Sequence, residues 1–162
     1  MQIYADKILR LEKKRINGKA HPFDIIKSKD AVAIIPVLEN KIVLERQYRV
    51  AVGKELYEIP AGHIEKGEKP ENAAKRELQE ETGYVAKRVE HIFSAYSSPG
   101  YLTEKLYFYI ATGLIKGKPH KDIDEVIKTK VMPIDDAMKL IKEKKIIDMK
   151  TIAGILFFKN FE

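Results

Sequence analysis

Ala31–Leu38 (AVAIIPVL) is almost continuously apolar, the pattern of a central strand buried on both faces. Pro36 has no amide to give a neighbouring strand, which argues for a bulge or an edge at that point. After a Glu39-Asn40 turn, Lys41–Glu45 (KIVLE) reads as a second strand, and Val89–Ala95, Lys105–Ala111 and Val126–Met132 also have strand character. Helical patterns run from Pro70 to Gly83, over Ile134–Lys145 and over Asp148–Phe161. Asp148 suits an N-cap, and Ile152, Ile155, Leu156 and Lys159 follow at helical spacing. Upstream, Lys7–Lys27 predicts strands at Ile8–Ile16 and Phe23–Ile26, split by the turn signal Asn17-Gly18. A two-stranded ribbon is marginal alone and needs the main body or a second subunit to pack on.

At 162 residues the chain is sized for one principal domain. Hydrophobic residues make up 44% and charged residues 33%, and no run of about 18 apolar residues is present, so a membrane span is not expected. The N-terminus is polar from Asp6 onward, without the look of a secretory signal. The absence of cysteine excludes disulfides and thiolate chemistry, and a cytoplasmic location is the expectation. A net charge of +6 raises nucleic acid as a partner, but the basic residues are scattered and no arginine-rich tract appears. The balance suits a pocket for small polyanions better. It is also typical of heat-adapted proteins, where it carries no functional meaning.

The helix from Pro70 to Gly83 changes the picture. Glu77, Glu80 and Glu81 stand at i, i+3 and i+4, which puts three carboxylates on one face with neighbouring Cβ atoms roughly 5–6 Å apart. Like charges at this spacing destabilise a helix, and Arg76 is the one cation in the last two turns. Hard oxygen donors so grouped suit Mg²⁺ or Mn²⁺, ions that bind a few carboxylates together with substrate phosphates. A Glu-rich helix alone is ordinarily just a solvated surface. The wider spacing argues otherwise: Gly62, five residues, Glu68, seven residues, Arg76-Glu77-Leu78, one residue, Glu80-Glu81, one residue, then Gly83 and apolar Tyr84.

This segment resembles the Nudix box in every fixed position. The resemblance implies an α/β fold, a Nudix-type α/β/α sandwich with a mixed sheet, over residues 29–162, with a small β-ribbon over residues 1–28. It also implies metal-dependent hydrolysis of the pyrophosphate of a nucleoside diphosphate linked to another group. The implied metal ligands are Glu77, Glu80, Glu81 and the carbonyl of Ala61. Arg76 would orient a carboxylate, Glu80 would serve close to the reaction, and Gly62, Glu68 and Gly83 would shape the motif.

Further segments are similar to ADP-ribose pyrophosphatases in particular: Gln47-Tyr48-Arg49, then Glu58-Ile59-Pro60-Ala61-Gly62, and Ser97-Ser98-Pro99-Gly100 followed by Glu104. The resemblance makes Arg49, Glu58, Pro99, Gly100 and Glu104 candidate substrate contacts and Phe23 a candidate adenine-stacking residue. Arg49 is equally readable as a surface ion pair, Phe23 as plain packing and Pro-Gly as a bare turn. Members of that group use an N-terminal sheet to form a homodimer, which is expected here too. Their base is often a glutamate on a loop outside the box; Glu125, beside Asp122 and Asp124, fits that description, although acidic loop residues are ordinarily only exposed. The implied reaction is ADP-ribose to AMP and ribose 5-phosphate. The alternatives are another nucleotide (diadenosine polyphosphate, NADH, an oxidised nucleotide) or a non-catalytic nucleotide sensor that regulates a partner.

Overall fold

The computed structural model describes residues 2–5, 9–19, 21–117 and 127–161. The apolar run Ala31–Leu38 forms β4, the centre of a seven-stranded sheet. β4 pairs in parallel with β9 (Lys105–Lys116) and antiparallel with β5 (Lys41–Arg49) and β7 (Ala61–His63). β6 (Lys54–Glu58) and β10 (Lys128–Pro133) flank β5, and β8 (Tyr84–Tyr96) closes the far edge beside β9. The sheet is therefore mixed.

Pro36 sits where β7 and β5 diverge along one side of β4. Ile34 N donates to Pro60 O, and the amide position of residue 36, two residues on, faces the same side just before β5 pairing begins at Val37. The missing N–H is thus placed at the gap between two partner strands, which answers the sequence-based expectation of a bulge or edge.

Alternation along β4 divides the core in two. Ala31, Ala33, Ile35 and Val37 pack with Ala137 of α2 (Ile134–Lys142) and with Ile155 and Phe158 of α3 (Met149–Phe161). Val32 and Ile34 pack with Ala73, Ala74 and Leu78 of α1 (Pro70–Thr82). A strand buried on both faces between two helical layers is what an unbroken apolar run encodes. The result is the α/β/α sandwich. Among the described residues no helix is long and apolar enough to cross a membrane.

The N-terminal segment differs from the two-stranded expectation. Gln2–Ala5 adds a strand, β1, to β2 (Leu9–Lys14) and β3 (Phe23–Ser28), giving a three-stranded sheet of order β1-β2-β3. Asn17-Gly18 lies in a longer connection in which Gly18 takes φ 79°. This sheet is fastened to the main body through the loop after β8: Ile26 N donates to Tyr101 O, Thr103 N to Ile26 O, and Ser28 N to the Thr103 hydroxyl.

Candidate active site

α1 begins at Pro70, whose missing amide costs nothing at a first helical position, and stops at Gly83, which takes φ 74° and donates its N–H to Gln79 O. Its buried stripe is Ala73, Ala74, Leu78 and Glu81. Glu77, Glu80 and Glu81 occupy the C-terminal half, where the helix dipole disfavours negative charge, and no basic residue occupies the last turn. A helix optimised for stability alone would not be built this way.

Arg76 gathers the acids. Its Nε and Nη2 donate to the two Glu68 oxygens, both at 3.0 Å. Nη1 donates to Glu77 Oε1 at 2.7 Å and to Glu80 Oε2 at 3.0 Å, and Nη2 also donates to His63 O at 3.0 Å. The sequence suggested one oriented carboxylate; the guanidinium reaches three, and its fork geometry makes that possible. Its hydrogen bonds to Glu68, then to Glu77 and Glu80, push the Arg76 pKa upward against the effect of burial. Arg76 in turn holds the Glu68 carboxyl below the usual carboxylate range. Glu68 also accepts from Glu65 N at 3.0 Å, tying down the loop before the helix. Glu81 accepts from Ala61 N at 2.9 Å, so β7 and α1 are joined at the motif itself.

Gly62 permits a close approach. A Cβ there would stand 2.1 Å from Glu77 Cδ, so the Glu77 carboxyl rests directly on the glycine backbone.

These groups line a cleft of about 640 Å³. Ala61, Gly62, Arg76, Glu77, Glu80 and Glu81 contribute to its wall, as do Ser97, Glu104, Arg49, Asp148 and Lys150. Arg49 donates Nε and Nη2 to the two oxygens of Glu58, each at 2.7 Å. Glu58 is only 1% exposed and also binds the Lys150 ammonium. Burial pushes the Glu58 carboxyl up, but the hydrogen bonds and charges of Arg49 and Lys150 outweigh it and hold the group below its ordinary value. The bond to Glu58 likewise raises Arg49.

The sequence-predicted contacts divide. Arg49 and Glu104 line the cleft, and Glu58 lies behind Arg49 as its counter-ion, so the guanidinium is both an ion-pair partner and a cleft residue. Pro99 and Gly100 are exposed in the turn after β8, and Ser97 rather than either of them lines the cleft. Phe23 is 41% exposed at the start of β3 and does not line the cleft of its own chain. Glu125, with Asp122 and Asp124, lies outside the described residues. Sequence reasoning missed Lys150 and Thr151. Their one signal is a pair of polar residues at the head of an otherwise apolar helix, KTIAGILFF.

The donor set is chemically suited to a hard divalent cation: three carboxylates and the Ala61 backbone on one wall. Among the described residues, no three acidic or imidazole side chains close around a common point. Arg76 draws Glu77 and Glu80 to itself, and a cation would have to share those carboxylates with it. The residues fit such an ion as ligands pre-aligned by Arg76 rather than as a finished cage.

A mixed sheet between helical layers, carrying an acidic helix in a cleft that also presents cations, defines a hydrolase built for phosphoanhydride chemistry. The chain belongs to the Nudix family, and the family's NUDIX domain matches residues 27–153. It is 38% identical over 98% of its length to the methanol dehydrogenase activator of Bacillus methanolicus, covering 89% of that protein. It is 37% identical, with the same two coverages, to the ADP-ribose pyrophosphatase of Bacillus subtilis (strain 168). The fold matches the crystal structure of an ADP compounds hydrolase with a TM-score of 0.88, at 20% identity, over 99% of this chain and 90% of that one. Nudix hydrolases generally use divalent metals.

Proposed function

We propose that the protein hydrolyses the pyrophosphate linkage of ADP-ribose to AMP and ribose 5-phosphate. The observation that carries this reading is a single cleft holding the Arg76-bound carboxylates of α1 together with the cationic side chains Arg49 and Lys150. The similarity to the ADP-ribose pyrophosphatase along nearly the whole chain supports the choice of substrate. Mg²⁺ is the expected ion, with Mn²⁺ able to replace it, and Glu77, Glu80, Glu81 and the Ala61 carbonyl would hold it. When bound, it supplies Lewis-acid neutralisation of the pyrophosphate oxygens. The chain's own residues do the rest. Arg76 keeps Glu77 and Glu80 in place, the Ala61 amide keeps Glu81, and Arg49 offers donors to a phosphate oxygen. A glutamate accepts the proton of the attacking water; Glu125 is assigned that role and Glu104, in the cleft wall, is the alternative.

The N-terminal sheet, residues 1–28, is assigned to homodimer formation. Leu9 and Phe23 are each 41% exposed on it, which leaves apolar surface for a second copy. With no cysteine in the chain, the assigned compartment is the cytoplasm.

The test is a kcat/KM panel with Mg²⁺ and Mn²⁺ in which ADP-ribose ranks first. A dinucleoside polyphosphate or nucleoside triphosphate exceeding it by about tenfold, roughly 1.4 kcal/mol of transition-state stabilisation, would rule the substrate out. The similarity to the methanol dehydrogenase activator favours a second reading, in which the protein activates a partner dehydrogenase. Turnover of free ADP-ribose too slow to measure, with stimulation of an added methanol dehydrogenase, would select it.

A further inference from the structure

Lys150 is the second residue of α3, and its side chain is only 14% exposed. Its ammonium binds Glu58 Oε2 and lies 3.2 Å from Asp148 Oδ2. Asp148 Oδ2 is also committed to Thr151, accepting from its N–H at 3.0 Å and from its hydroxyl at 2.6 Å. The Thr151 hydroxyl accepts from Ile59 N at 2.8 Å. The head of α3 thus grips both Glu58 and Ile59, the two residues that lead into Pro60 and β7.

Arg49 docks on Glu58 through Nε and Nη2, which is one edge of its fork. A guanidinium has five N–H donors, so Nη1 and the second Nη2 hydrogen remain on the other edge. Arg49 lines the cleft and its side chain is 39% exposed. The edge not used by Glu58 is therefore the edge that can meet an oxyanion, and its direction depends on how firmly the Glu58 carboxylate is held.

We infer that Lys150 is a positioning residue for substrate binding: by clamping the Glu58 carboxylate from α3, it fixes Arg49 with its unused edge toward a phosphate oxyanion in the cleft. The inference rests on the pyrophosphohydrolase reading above. Removing Lys150 leaves Glu58 buried with one cation in place of two, and Arg49 follows the carboxylate as it shifts. An interaction that grips substrate and transition state alike appears in KM, not kcat.

The experiment is a double-mutant cycle of Lys150→Met and Glu58→Gln, read with ADP-ribose turnover and with calorimetric binding of inorganic pyrophosphate. Lys150→Met should raise KM and weaken pyrophosphate binding by about tenfold, the scale of one hydrogen bond to a charged group, with kcat within about threefold. In the Glu58→Gln background the same change should cost less than about twofold, since its route to Arg49 is already cut. Lys150→Arg should restore most of the affinity. A KM within twofold of wild type for Lys150→Met overturns the inference. So does an undiminished tenfold loss in the Glu58→Gln background, which would put Lys150 on the substrate itself. If Lys150→Met does not fold, Lys150→Gln takes its place in the cycle. Should the wild type leave ADP-ribose intact, the substrate reading fails, and the pyrophosphate arm still decides the role of Lys150.

Discussion

The Glu77 carboxyl lies against the backbone of Gly62, so close that a Cβ at position 62 would stand 2.1 Å from its Cδ. Gly62→Ala therefore has to drive Glu77 out of the bonds it shares with Arg76. Glu77 is a proposed metal ligand, and a misplacement of about 1 Å in such a site can cost about 10²-fold, so kcat should fall by about that much. The clash is with the end of a flexible side chain, which can swing aside, so the urea midpoint should change little while activity falls. Full activity in a folded Gly62→Ala protein would mean that Glu77 has no part in turnover.

Arg76 serves Glu68, Glu77, Glu80 and the His63 carbonyl through one planar fork. An ammonium cannot reproduce that geometry, so Arg76→Lys should behave nearly as badly as Arg76→Gln. Groups that orient metal ligands typically contribute 10–100-fold. Both variants should need correspondingly more Mg²⁺ for half-maximal activity. A lysine variant within threefold of wild type would show that charge alone suffices.

Thr151 is fully buried and bridges Ile59 N and Asp148. Thr151→Val keeps the shape and leaves a buried N–H without its acceptor, at a cost of about 1–3 kcal/mol. Chemical denaturation should register that loss without a change in slope.

Glu58 and Glu68 are both held below the usual carboxylate range in the folded chain. As pH falls, the unfolded chain therefore takes up protons first. The stability these groups contribute is whole above about pH 4.3 and is lost as pH falls through their depressed folded values. Urea midpoints measured from pH 7 to pH 3 should drop in that acid window, and the drop should be shallower in Glu58→Gln. An equally steep drop in that variant would remove Glu58 from the account.

The central strand and the motif helix were legible in the sequence because each is written in local pattern. Ala31–Leu38 is apolar throughout, and Pro70 and Gly83 mark the two ends of α1. The length of β8 was hidden because an edge strand tolerates Lys87, Arg88 and Glu90, and a register shift between His91 and Phe93 breaks its alternation. β1 was missed because four residues carry no period. The Glu58–Lys150 and Ile59–Thr151 bonds each join residues 92 apart, a relationship that no local spacing encodes. Asp148 was legible as a helix cap, whereas its place in the cleft wall came only with the fold.

The proposed dimer is tested by light scattering at micromolar concentration, which should report twice the chain mass of 18.6 kDa. Deleting residues through Lys27 should give a monomer or insoluble protein. A fully active, well-folded monomer would contradict the role assigned to the sheet.

The most direct measurement is ³¹P NMR of ADP-ribose incubated with the protein and Mg²⁺. AMP and ribose 5-phosphate should appear in equal amounts, with no products in excess chelator and none from Glu81→Gln, a variant that keeps shape while losing one negative charge. Unchanged ADP-ribose with wild-type protein, or the same products at an undiminished rate from Glu81→Gln or in excess chelator, would contradict the proposed reaction.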